Sequence, residues 1–159
     1  MRRLDVPHVP DLPAVSQQDE MLLTCVGASL ATLGYLSPTG PLDSITSLTI
    51  AAEITFQIHA SAPCAGSLCV AFDALAIETL ATAMLARPAG QAVSAGDCAD
   101  AASELVNVAC GALLPQLFDK LHEFSLSLPT VTDAPEALTR PWIGLRCDSG
   151  NIAIRLSLD

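Results

Sequence analysis

The segment from Asp97 to Pro129 reads DCADAASELVNVACGALLPQLFDKLHEFSLSLP, and one line of positions in it differs from everything around it. Asp100, Glu104, Asn107 and Gly111 form that line. At about 100° per residue on a helix they fall within an arc of roughly 60°. The surrounding positions are small or apolar: Ala101, Ala102, Leu105, Val106, Val108, Ala109, Cys110, Ala112, Leu113 and Leu114. A helix patterned in this way must be buried around most of its circumference, with one narrow wet face. Glu104 and Asn107 are surface neighbours on that face, with Cβ atoms about 5–6 Å apart. Gly111 strips the next turn of its side chain and lets another surface approach.

Any amphipathic helix has a solvated face, so each residue also has a structural reading. Asp97 or Asp100 is well suited to cap the helix. Gly111 can be a packing contact beside a bend at Pro115, where the ring displaces the hydrogen bond to Gly111. Pro129 reads as a strand terminator or as the residue that shapes the adjoining turn. Asn107 is the hardest to explain structurally, because a mid-helix Asn contributes nothing to helix stability.

Along the rest of the chain, three prolines in residues 1–15 indicate an extended arm ahead of a single domain over residues 16–159. A helix is expected from about Ser16 to Leu36, with Ser16 as N-cap and Asp19 and Glu20 in the first turn. Ser37-Pro-Thr-Gly-Pro41 breaks it. Ile54, Phe56 and Ile58 alternate with Thr55, Gln57 and His59, the period of a half-buried strand. Pro63 to Gly66 turns the chain into a strand over Ser67–Phe72, and a helix follows over about Asp73–Ala86. The stripe helix starts near Asp97 or Asp100. Leu126 and Leu128 open a strand that Pro129 ends. Asp148-Ser-Gly-Asn151 is the loop of a closing hairpin. Strands joined by hairpins with helices set between them make a two-layer α+β fold, helices packed on a mainly antiparallel sheet.

Composition excludes several functions. The net charge of −10, with seven scattered Lys and Arg, repels phosphate backbones and rules out nucleic acid. Met21 to Leu36 is uncharged but spans 16 residues, short of the roughly 20 a membrane helix needs. With no secretion signal visible, the expected location is the cytoplasm. Cys25, Cys64, Cys69, Cys98, Cys110 and Cys147 form no CxxC pair, and His8, His59 and His122 add no zinc spacing. The cysteines read as small hydrophobes in a reducing compartment, with Cys64 and Cys69 spanning a strand turn, and no metal site is expected. Charged residues are 15% of the chain, below the roughly 25% usual for soluble domains, which points to apolar surface hidden in an oligomer.

Asp100-x3-Glu104-x2-Asn107, then Gly111, then Phe124-Ser-Leu-Ser-Leu-Pro129, resembles the signature of the CheC/CheX/FliY chemotaxis phosphatases. That pattern is an Asp or Ser, three residues, Glu, two residues, Asn, and a Pro a little over twenty residues later. Here 21 residues separate Asn107 from Pro129, one fewer than usual. The strand and helix from Ala65 to Ala86 and the hairpin strands Trp142–Cys147 and Ile152–Leu158 extend the resemblance to about residues 15–158. One such helix motif, rather than two, favours the CheX-like branch. Val108 and Ala112 depart from the family's frequent Met and polar residues at those places, which bears on partner choice more than on chemistry.

The resemblance implies a CheC-like fold, a homodimer, and hydrolysis of the aspartyl phosphate on a CheY-type response regulator. Asn107 would position the hydrolytic water and Glu104 would pair with the receiver's active-site Lys. Asp100 would steer the partner or support Glu104, and Gly111 would admit a close backbone approach. The protein would need no cofactor of its own, because the receiver supplies Mg²⁺. The alternative function is a non-catalytic receiver-binding or scaffold domain of the same fold in chemotaxis or two-component signalling.

Overall fold

A computed structural model describes residues 15–34, 36–42, 47–59, 64–88, 90–118, 123–134 and 142–159. The first element is helix α1 (Val15–Gly34). It opens one residue ahead of the expected cap Ser16, so Asp19 and Glu20 lie just past its first turn. The expected N-terminal arm lies outside the described residues except for Val15. Leu22, Cys25, Val26 and Leu30 are the buried face of α1.

The segment expected only to break α1 also forms a strand, β1 (Pro38–Leu42), at an edge of the sheet. Its two prolines cannot donate to a ladder, and an edge strand pairs on one side alone. Strand β2 (Leu48–His59) follows, with the predicted alternation: Ile54, Phe56 and Ile58 are buried and Thr55, Gln57 and His59 are exposed. Strand β3 (Cys64–Asp73) begins earlier than expected and pairs antiparallel with β2 along its whole length, Ile58 facing Cys64 and Leu48 facing Asp73. Cys64 and Cys69 therefore share one strand rather than flank a turn.

Helix α2 (Ala74–Met84) starts where Asp73 caps it, the carboxylate accepting from the Ala76 N–H at 2.8 Å. The other Asp73 oxygen accepts from the Asn151 N–H at 2.9 Å, which ties this corner to the closing hairpin. Helix α3 (Ala95–Leu117) carries the polar stripe. Two short strands, β4 (Glu123–Leu126) and β5 (Thr130–Asp133), both pair with β2 on the side away from β3. The chain closes with the hairpin β6 (Ile143–Cys147) and β7 (Gly150–Leu158). Its turn needs Gly150, whose φ is 98° and where a Cβ would lie 2.5 Å from an Asp73 carboxylate oxygen.

Every strand pairing is antiparallel, in the order β1-β6-β7-β3-β2-β4, with β5 beside β4 on the β2 edge. One buried cluster joins α1, α2 and α3 to Ala52, Ile54, Phe56 and Ile58 of β2, Leu68, Val70 and Phe72 of β3, and Ile152 and Ile154 of β7. The α+β architecture of helices on an antiparallel sheet is thus the one expected. The opposite sheet face carries smaller residues, Ala51, Cys69, Ala71 and Ala153, with Leu48 and Trp142 packed on them. There Arg155 donates to Glu53 at 2.8 Å and its guanidinium lies 4.7 Å from the Trp142 ring centre. No helix among the described residues is long and apolar enough to cross a membrane.

Candidate functional site

The site begins with how α3 is anchored. Ser94 is its N-cap, and the side chain accepts from the Asp97 N–H at 3.0 Å while Asp97 accepts from the Ser94 N–H at 2.9 Å. This reciprocal pair satisfies two amide donors that a helix end otherwise leaves open. Arg87, from the turn after α2, reaches Asp97 at 3.1 Å. The Ser94 backbone N–H, then the Ser94 hydroxyl and the Arg87 charge, hold the Asp97 carboxyl below its ordinary range. The cap expected at Asp97 or Asp100 is therefore Ser94, with Asp97 as its partner. Asp100 has no capping duty; it stands exposed a turn further on.

From there the helix presents two sides. Ala101, Ala102, Leu105, Val106, Ala109, Cys110, Leu113 and Leu114 are buried, whereas Asp100, Glu104, Asn107 and Gly111 are exposed. Ser94 thus sets a helical phase that turns the whole stripe outward. The two ion pairs among the described residues are Arg87–Asp97 and Arg155–Glu53, so Glu104 has no cation partner there. The Asn107 amide likewise makes no side-chain hydrogen bond among the described residues. At Gly111 an added Cβ would meet nothing within 4 Å, so packing does not require this glycine. The helix continues through Pro115 to Leu117.

The stripe faces a break in the edge of the sheet. β4 and β5 would be one strand along β2 if Ser127, Leu128 and Pro129 did not interrupt the ladder. The Ser127 N–H donates to the Thr55 carbonyl at 2.9 Å, and the Ser127 hydroxyl accepts from the Thr55 N–H at 3.0 Å. The strand expected to open at Leu126 and Leu128 has instead finished at Leu126, and Pro129 precedes the next strand. An open groove of about 360 Å³ lies between the stripe and this break, lined by Asp100, Ser103, Glu104, Asn107, Ser127, Leu128 and Pro129. The structure brings Asp100, Glu104, Asn107 and Pro129 together. Gly111 lies one turn beyond, on the same exposed face but outside the groove.

Ser103, Ser127 and Leu128 are the lining residues that sequence reasoning missed. The signal for the last two was Pro129, which cannot donate to a ladder and displaces the break into the residues before it. Chemically, the groove holds a neutral amide, two carboxylates and hydroxyls. The Ser127 hydroxyl is already engaged, and it donates to the Leu128 carbonyl at 3.1 Å. No His or Cys lines the groove. The described residues contain no group of three His, Cys, Asp or Glu side chains able to hold a metal ion. Such a surface lacks the nucleophile–base pair of covalent catalysis. It suits orienting a water and meeting a cation brought by something else.

The six cysteines are free, as expected of small apolar residues. Burial pushes the Cys69, Cys110 and Cys147 thiols up to about 11.

Comparison with known structures places this fold. The CheX chemotaxis protein of Vibrio vulnificus superposes with a TM-score of 0.69 at 18% identity, covering 93% of this chain and all of that one. A CheC-like superfamily protein from a Shewanella species gives 0.65 at 18% identity, over 93% of this chain and 99% of that one. CheX in the CheX–CheY–BeF3–Mg complex of Borrelia burgdorferi gives 0.57 at 14% identity, over 87% of this chain and 96% of that one. At these identities the likeness shows a shared fold. No curated protein sequence matches the chain. The family model described as chemotaxis phosphatase CheX matches residues 54–141, more than half of the chain, and that span takes in the whole stripe, the break at Ser127–Pro129 and the short strands β4 and β5 on either side of it. The chain belongs to the CheX chemotaxis phosphatase family.

Proposed function

We propose that this protein is an aspartyl-phosphate phosphatase that acts on a phosphorylated CheY-type receiver domain, with Asn107 positioning the hydrolytic water. The observation that carries this reading is the pairing of Glu104 and Asn107 on one exposed face of α3, in a shared groove, with no partner among the described residues. Family membership supports it, and so does the fold shared with CheX in the Borrelia burgdorferi complex with CheY.

An aspartyl phosphate is a reactive acyl phosphate, so little covalent chemistry is needed from a second protein. The barrier falls when a water is held in line with phosphorus, and positioning of this kind can supply several kcal/mol. The Asn107 amide offers a donor and an acceptor to one water and cannot act as a base. Glu104, one turn back, meets the receiver's active-site Lys and so fixes how deep Asn107 enters. Removing one partner of such an interfacial charge pair costs about 2–5 kcal/mol. Mg²⁺ belongs to the receiver; this chain contributes no metal ligands to the reaction. Asp100 extends the negative rim that draws the cationic site in, and Gly111 leaves room for the receiver backbone. A homodimer would hide apolar surface that so weakly charged a chain leaves over.

The test is single-turnover loss of phosphate from Mg²⁺-bound receivers of the same organism. Acceleration by the native chain with at least one receiver supports the proposal. Binding to the phosphorylated receiver with no acceleration would replace it with a docking or scaffold role.

A further inference from the structure

Leu128 is 88% exposed, against 57% for Leu75, the next most exposed large apolar side chain among the described residues. A leucine in water forgoes the favourable transfer of its side chain to an apolar surrounding. Here it is also held in place. Ser127 is tied to Thr55 of β2 through both its N–H, at 2.9 Å, and its hydroxyl, at 3.0 Å. Pro129 follows Leu128, and its ring confines the residue before it to extended backbone. From Thr130 the chain is paired to β2 again. Leu128 is thus the fixed tip of a strap clamped on both sides, standing on the groove that Asp100, Ser103, Glu104 and Asn107 line from the other side.

We propose that Leu128 is the apolar anchor by which this chain docks its receiver, seated in a depression beside the receiver's phosphorylated aspartate. This rests on the proposed function. The neighbours of Leu128 select the occupant. Whatever covers Leu128 also lies over Glu104 and Asp100, two carboxylates without a cation partner among the described residues. A second copy docked here about a two-fold axis would set this acidic groove against itself on a chain of net charge −10. A receiver brings the opposite charge, an ammonium and a bound divalent cation, to the same place. A preorganised apolar side chain beside a charged pair supplies affinity with little ordering cost. Leu128 therefore sets how tightly the receiver binds, whereas Asn107 sets how fast the phosphate leaves.

The experiment follows the phosphorylated receiver by both binding and single-turnover dephosphorylation. It uses the native chain, Leu128→Ala, Leu128→Asp, and Leu75→Ala as a matched loss of an exposed leucine on another face. The expected result is half-saturation about 10- to 50-fold higher for Leu128→Ala and higher still for Leu128→Asp. The maximal rate stays within about twofold and Leu75→Ala behaves as native. A Leu128→Ala protein that binds as tightly as native overturns the inference while the phosphatase reading stands. So does a lost maximal rate at unchanged half-saturation. A shift in oligomeric state on light scattering, with receiver affinity unchanged, assigns the leucine to a second copy and also overturns it. A native chain that binds and dephosphorylates no receiver overturns the reading beneath it.

Discussion

Asn107 and Gly111 occupy exposed helix positions where each weakens the element that carries it. Asn is a poorer helix residue than Ala by about 0.5 kcal/mol and Gly by about 1 kcal/mol. Nothing within 4 Å would oppose a Cβ at Gly111. Asn107→Ala and Gly111→Ala should therefore each raise unfolding stability by roughly those amounts, measured as a shift of the urea midpoint at constant slope. A loss of more than about 1 kcal/mol in either variant would mean that the residue is structural after all. The stripe itself was legible because helical periodicity needs only residue types and spacing. Leu128 was not. In Phe124-Ser-Leu-Ser-Leu the alternation mimics a continuous strand, and its interruption depends on Ser127 turning both its amide and its hydroxyl onto Thr55.

At the level of elements, α3 is aimed by its first turn. Ser94→Ala removes the acceptor for the Asp97 amide and should cost about 1 kcal/mol, measurable by thermal or urea unfolding. Asp97 adds a pH dependence whose sign follows from its lowered pKa. The unfolded carboxyl protonates first, near 3.8, so the stabilisation is present above that pH and is lost as pH falls through the lower folded value. Asp97→Asn should flatten the acid limb of the stability curve, and an unchanged limb would show that the capping pair does not hold in solution. The helices and the long strands β3 and β7 follow from apolar period and turn residues and lie within a few residues of where those patterns put them, whereas β2 begins at Leu48, six residues ahead of the alternation that marked it. The cap was misplaced because Asp97, as the partner in a capping box, carries the same residue type as a cap. β1 escaped because two prolines and a glycine in five residues read as a breaker, while an edge position tolerates them. Those misreadings leave the stripe facing outward.

For the molecule as a whole, a core of Ala, Leu, Val, Ile and Cys implies a further titration, in alkali. Cys69, Cys110 and Cys147 are raised from 9.0 to about 11 by burial. Above about pH 9 the unfolded chain loses thiol protons that the folded chain keeps, so stability should fall between pH 9 and 11 and hold steady just below. Thiol labelling at pH 8 should leave these three unreacted until the protein unfolds; rapid labelling of the native state would contradict their burial. The same fold leaves its acidic stripe exposed, and the reaction proposed for it belongs to a pair of proteins rather than to either alone. Its most direct test is the rate of phosphate loss from a saturated complex of receiver with the Asn107→Ala chain. The predicted result is a fall of at least about 100-fold, with receiver affinity and fold stability retained. A variant that still works at the native rate would contradict the assignment of the hydrolytic water to Asn107.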